Sequence, residues 1–341
     1  MKNSLTYLTR RCPRQCGYCA LRDATNVGKE LEVTQWIEAF NILKGMGVEF
    51  NLILGNETWL LGDGIITILE ANKVPFALYT TAPEPWFTKY RRKFFDSGVL
   101  DNFSCGIDYP RFDNLFVDDD SFRKSQSAID AFKWMRNEYP DVDTHGTITV
   151  HKQNLKYLNA LAGQLSYLGV FYAVNFIHWN SDGGFDFFPG KDKIQDLLFT
   201  PEDFPEVTRV LNQLLENPGL LQSPEVVKIV ADNPELLQMK WHCKGDPYGG
   251  PTIDSDGHLR CCGYRRGRFT PHLTIFDLPG EQDLWRESVR MDAAECPGCV
   301  WLYPMQLHYW EKTDPEMGKK VFAKHAGAHI KESKWSNRII E

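Results

Sequence analysis

Over the first 180 residues, short strand-like runs alternate six times with helical stretches. The strand-like runs are Leu5–Leu8, Val48–Leu54, Pro75–Thr80, Phe103–Ile107, Gly146–Val150 and Tyr172–His178. Between them, Glu32–Lys44 carries Val33, Trp36, Ile37, Phe40 and Leu43 at helical spacing. Ile65–Ala71, Trp86–Ser97, Ser121–Glu138 and Leu155–Leu168 are also helical. Such a repeat predicts an α/β fold with a parallel sheet covered by helices. Periodicity does not choose between an open doubly wound sheet and an incomplete barrel. In either, chemistry is expected at the carboxyl ends of the strands.

A chain of 341 residues accommodates one large domain and a smaller one. Its 43% apolar and 24% charged residues are those of a folded globular protein, and its formal net charge of −7 argues against a nucleic-acid partner. No run of 18 apolar residues occurs, so no membrane partner is expected. Two basic runs, Lys89–Lys93 and Arg260–Arg268, read as solvated faces; the second, beside a cysteine pair, also admits an anionic substrate group. Nine cysteines with no secretion signal favour metal over disulfides and a cytoplasmic setting.

Three of these cysteines lie in Cys12-Pro-Arg-Gln-Cys16-Gly-Tyr-Cys19. Thiolates this close on one loop can hold three corners of a [4Fe–4S] cube and leave one iron open. The alternative is a zinc site completed by a histidine. The motif resembles that of the radical S-adenosylmethionine (SAM) superfamily. The resemblance implies a radical SAM partial (β/α)6 TIM-like barrel. In it, SAM chelates the open iron and is reductively cleaved to a 5′-deoxyadenosyl radical, so Cys12, Cys16 and Cys19 are the expected catalytic cluster ligands. It also implies that Gly55-Asn56-Glu57, where the family often has Gly-Gly-Glu, meets the SAM amino group. Tyr18 is expected beside the cluster, Asp108 near the ribose, and Asn154 as a further SAM contact. An external reductant such as flavodoxin or ferredoxin is implied as a partner.

Five more cysteines follow: Cys243, Cys261, Cys262, Cys296 and Cys299. Asp256-Gly257, flanked by Thr252–Ile253 and His258–Leu259, reads as a β-hairpin turn that brings Cys243 toward the Cys261/Cys262 pair. Cys296-Pro-Gly-Cys299 is a C-x2-C knuckle after the helical stretch Gln282–Ala294. This region resembles the Twitch and SPASM auxiliary-cluster domains. The resemblance implies a second [4Fe–4S] cluster on Cys243, Cys262, Cys296 and Cys299, with Cys261 as alternative to Cys262. A four-cysteine zinc ribbon remains the competing reading. The expected domains are residues 1–180, the barrel; 181–238, a helical connector; 239–310, a small hairpin and helix domain; and 311–341, a tail.

These expectations combine into an oxidoreductase or maturase that abstracts a substrate hydrogen, with the auxiliary cluster accepting an electron in a net oxidation. A small-molecule substrate is expected, because the chain starts at the first barrel strand without a leader-recognition segment. The alternatives are a maturase acting on a ribosomally made peptide or protein side chain, and a zinc-binding scaffold. By position, His178, Asp182 and Arg265 are candidates for acid–base work.

Overall fold

The computed structural model describes residues 3–20, 29–54, 56–97, 100–111, 120–243 and 250–314. Six parallel strands follow one another in chain order across a single sheet: β1 (Asn3–Tyr7), β2 (Phe50–Leu54), β3 (Phe76–Thr80), β4 (Leu100–Gly106), β5 (Asp143–Val150) and β6 (Phe171–Phe176). Helices α1 (Val33–Gly45), α2 (Asp63–Asn72), α3 (Trp86–Ser97), α4 (Asp120–Glu138) and α5 (Leu158–Tyr167) alternate with them. α1 starts at a capping box in which the Glu32 N–H donates to Gln35 Oε1 at 2.9 Å.

The period of two along each strand sorts the side chains. Ile53, Leu78, Ile148, Val150 and Val174 enter the core beneath the helices. Their neighbours Leu52, Tyr79, His145, Thr147, Ala173 and Asn175 face a cavity on the other side. A sheet that covers helices with one face and encloses a cavity with the other is a curled, incomplete barrel, which decides the question that periodicity left open. Residues 181–240 supply α6 (Phe204–Leu214) and α7 (Pro224–Asp232). Between these helices the chain satisfies the β6 edge: Leu221 N–H donates to Tyr172 O at 2.8 Å, and the Gln222 amide pairs with both backbone groups of Val174.

The other edge is extended rather than closed. β7 (Thr252–Ile253) joins β1 in parallel, and β8 (Leu259–Arg260) pairs with β7 antiparallel, so the hairpin belongs to the barrel sheet. Gly250 permits this docking, since a Cβ there would lie 1.5 Å from the Asn3 carbonyl oxygen. Helix α8 (Gln282–Ala294) precedes the C-x2-C knuckle, and α9 (Leu302–Thr313) runs past residue 310 and places Tyr303 and Gln306 against the cavity. Among the described residues no helix is long and apolar enough to cross a membrane.

Candidate functional site

The Cys12–Cys19 loop leaves the carboxyl end of β1, where the strand's buried Leu8 and Thr9 give way to exposed chain. Glu30 pins the loop's start, accepting from Thr9 Oγ1 at 2.7 Å and Arg10 N–H at 2.8 Å. α4 pins its middle: Gln15 N–H donates to Asp120, and Arg14 donates to Ser127 Oγ. Cys19 N–H donates to Cys16 O, so the last two cysteines sit on one turn. Arg14 N–H points at Cys12 Sγ at 3.5 Å, the geometry that steadies a thiolate. Burial, then the nearby Glu57 carboxylate, push the Cys12 thiol up to about 12. The Cys12 thiol keeps its proton unless positive charge compensates, and an iron cluster is a donor-matched source of it.

Cys19, Tyr18 and Asn56 line the barrel cavity, which measures about 380 Å³. Other expected cofactor contacts lie elsewhere, and Gly55 lies outside the described residues. Glu57 is fully buried behind the wall: it accepts from Thr80 Oγ1 at 2.6 Å and from Thr81 N–H and Oγ1 at 2.9 and 2.6 Å. Burial raises its pKa to about 7 even against those bonds. Asp108 is also turned inward. It pairs with Lys124 Nζ, accepts from Tyr18 Oη at 2.7 Å and accepts from Thr149 N–H at 2.9 Å. The Asn154 amide caps its own loop, accepting from His151 N–H and donating to the Asp108 and Thr149 carbonyls. In this structure the polar atoms of Glu57, Asp108 and Asn154 are engaged in these internal bonds. Tyr18 is placed by this network, with Lys124 5.2 Å from its ring centroid.

The second set converges on a small cavity lined by Cys243, Cys261, Cys262, Cys296 and Cys299. Antiparallel bonding between Trp241 and Cys299 brings the first of these to the last. The knuckle needs Gly298 at φ 108°, because a Cβ there would lie 2.1 Å from Met239 O. Within the adjacent pair, Cys262 accepts from the Cys261 thiol and from Arg265 N–H at 3.3 Å, which holds Cys262 down and Cys261 up. Cys262 is thus the readier thiolate. Tyr264 and Trp301, with ring centroids 4.2 Å apart, line both this pocket and the barrel cavity and form the wall between them. Among the described residues no three His, Cys, Asp or Glu side chains are drawn together closely enough to hold a single metal ion; Cys19 and the five later cysteines line cavities instead.

The basic run Arg260–Arg268 is not wholly a solvated face, since Arg260 and Arg265 are buried. Arg260 is 0% exposed and bound by Asp254 and Asp186, and Arg265 is paired with Asp182. Arg10, just before Cys12, joins the same aspartates, so a buried network of two arginines and two carboxylates ties the first cysteine loop to the hairpin. The local sequence did not reveal it, because its members lie up to 250 positions apart; Arg10 beside the cysteine motif was the one available signal. Lys89 and Lys93 are exposed, with Lys93 paired to Asp63 at 2.6 Å.

His178, Asp182 and Arg265 are structural too. His178 is completely buried, with Nδ1 2.8 Å from Phe176 O and Nε2 accepting Val300 N–H at 3.1 Å. It is a neutral bridge from β6 to the knuckle. Burial lowers its pKa from 6.5 to about 4, against the pull of the Phe176 carbonyl. A depressed histidine leaves the fold at full strength above pH 6.5. As pH falls toward 4 the unfolded chain gains a proton the folded chain refuses, which costs about 3 kcal/mol. Urea midpoints measured from pH 7 to 4.5 should fall less steeply in His178→Asn than in the native chain; parallel profiles would remove this role.

Residues 6–165 match the family model of the Radical SAM superfamily. Native anSMEcpe with bound AdoMet resembles the chain at 14% identity over 94% of this chain and 99% of that one, with a TM-score of 0.59. Streptococcus suis SuiB bound to precursor peptide SuiA does so at 13% identity over 89% and 70%, with a TM-score of 0.56. Another SuiB structure is matched at 14% identity and TM-score 0.50 over 75% of this chain, which spans 59% of that protein's length. At these identities the likeness is one of fold, and the fold is the partial barrel.

Proposed function

We infer that this chain, with a radical SAM domain across residues 6–165, is an enzyme that reductively cleaves SAM and abstracts hydrogen from a substrate in the barrel cavity. The observation that carries this reading is the placement of the Cys12–Cys16–Cys19 loop at the carboxyl end of β1, with Cys19 opening on the cavity. A [4Fe–4S] cluster there, with SAM on its open iron, would supply the one-electron chemistry. The chain's own residues would position it. Cys12, Cys16 and Cys19 would hold the cluster, and Glu30 and α4 fix the loop that carries them.

The thiols of Cys243, Cys262, Cys296 and Cys299 would hold a second cluster of electron-transfer type, with Cys262 rather than Cys261 supported by its lowered thiol pKa. Its place behind the Tyr264–Trp301 wall suits a net oxidation of a small molecule. A second reading, oxidation of a peptide or protein side chain, is favoured by the peptide bound to SuiB, whose fold this chain shares. Anaerobic reconstitution tests the whole proposal. About eight irons per chain and reductant-dependent release of 5′-deoxyadenosine are expected. Stoichiometric zinc without iron would establish the scaffold reading in its place. Deoxyadenosine release stimulated by peptides alone would select the second reading.

A further inference from the structure

We propose that Lys124 is a positioning residue for the first cluster: its buried ammonium, held by Asp108 against Tyr18, makes that cluster easier to reduce. The cluster rests on the radical SAM reading; the charge rests on the geometry of this chain.

Lys124 projects from α4 with its side chain 5% exposed, and its partner Asp108, just beyond β4, is 0% exposed. The ammonium also donates to Tyr18 Oη, which in turn donates to Asp108 at 2.7 Å. Tyr18 stands between Cys16 and Cys19 in the chain and lines the cavity beside Cys19. Gly106, also on the cavity wall, leaves room for the lysine, since a Cβ there would lie 3.3 Å from Nζ and 3.5 Å from Cδ and Cε. The ammonium is thus lodged behind the wall at the end of the barrel that carries the cysteine loop.

Holding Tyr18 does not require a cation. Asp108 accepts from Tyr18 Oη and from Thr149 N–H, and Ser125 Oγ accepts the N–H groups of Asp108 and Tyr109 at 2.9 and 3.0 Å. A buried ion pair adds little net stability, because desolvation of the two charges offsets their attraction. What the ammonium adds is a fixed positive charge beside the thiols. Burial lowers the Lys124 pKa, but the Asp108 carboxylate, then Cys16 and Cys19, raise it above its ordinary value, so both sulfurs lie within its field. Arg10 and Arg11, on the same loop, are turned to other carboxylates, Arg10 to Asp186 and Asp254 and Arg11 to Glu30.

A [4Fe–4S] cluster gains one negative charge on reduction, and its potential responds to nearby charge and to solvent exposure. A buried cation acts on that charge with little screening. Asp108 carries the opposite charge and offsets part of the effect, so the pair yields two predictions of opposite sign.

The test is the midpoint potential of the anaerobically reconstituted chain, followed by electron paramagnetic resonance. The signal that changes on adding SAM is the one read, which separates the first cluster from the second. At the native midpoint, Lys124→Met should hold about tenfold less reduced cluster than the native chain, a shift of about 59 mV to more negative potential. Asp108→Asn, of nearly identical shape, leaves the ammonium without its counter-charge and should shift the midpoint the other way. Lys133→Met removes the same charge from an exposed position of α4 and should leave the midpoint unchanged. Loosening of the loop or entry of water would move both buried variants in one direction. Should Lys124→Met fail to fold, Asp108→Asn carries the test alone. Midpoints that stay at the native value, or that move together, overturn the proposal. A chain that takes up zinc and no iron overturns the radical SAM reading and this proposal with it; a reducible cluster indifferent to Lys124 and Asp108 overturns this proposal alone.

Discussion

Cys16→Ala, carried through the same reconstitution, should bind about four fewer irons and release no 5′-deoxyadenosine. The loop does not need this side chain for its shape. Its turn is a backbone bond from Cys19 N–H to Cys16 O, and its ends are held by Glu30 and α4. What the substitution removes is one of three thiolates, and two cannot keep three irons covered and one open. Cys299→Ala is the matched control. It also removes a thiol, but from the pocket behind the Tyr264–Trp301 wall. That variant should likewise lose about four irons yet continue to cleave SAM, with deoxyadenosine released and substrate left unoxidised. Cleavage at the native rate in Cys16→Ala would falsify the assignment of the first loop. Coupled product formation in Cys299→Ala would remove the second cluster from the reaction.

Asp254→Ala should destabilise the fold by about 3–5 kcal/mol, the second large effect. Asp254 is 1% exposed and accepts from Arg10 Nε at 2.7 Å, from a second Arg10 nitrogen and from Arg260 at 2.7 Å. Its removal leaves two guanidinium groups, one of them 0% exposed, facing the single carboxylate of Asp186. Because these groups join the residue before Arg11 and Cys12 to the β7–β8 hairpin, the damage spans both cysteine regions. Adding Arg260→Met to Asp254→Ala should restore part of the loss by removing the stranded charge. Chemical denaturation of the single and double variants measures both; a loss below about 1 kcal/mol in the single variant contradicts the role.

The sign of the pH dependence follows from the same groups. Burial by itself would raise the Asp254 carboxyl, but the Arg260 and Arg10 charges outweigh it and hold the group well below the usual carboxylate range. A depressed carboxyl contributes stability that is present above its ordinary value of 3.8 and is lost as pH falls through its folded value. The native chain should therefore be more stable than Asp254→Asn at neutral pH, and denaturation midpoints of the two should converge only in strong acid.

The six strands and their intervening helices were legible because each reports its own burial through a local period, 2.0 or 3.6 residues. Boundaries moved by a few residues, as for the strand read at Phe103–Ile107 and found at Leu100–Gly106. Cysteine spacing was legible for a similar reason: ligands on one loop are neighbours in sequence. The fates of Glu57, Asp108 and Asn154 were not. A carboxylate at a strand end can face the cavity or turn behind it, and the choice depends on Thr80, Thr81, Lys124 and Thr149 from other elements. Arg260 in a basic run illustrates the same limit, since its partners Asp186 and Asp254 are set by folding.

By itself the sequence determined the alternation that demands a parallel sheet and the two groupings of cysteines, because period and spacing are properties of the chain. Tertiary structure alone decided that the sheet curls around a cavity, that the hairpin extends β1, and that Tyr264 and Trp301 stand between that cavity and the pocket lined by the later cysteines. Those features arise where distant segments must pair charges and satisfy backbone groups together, and no local pattern records which partner a buried group will find.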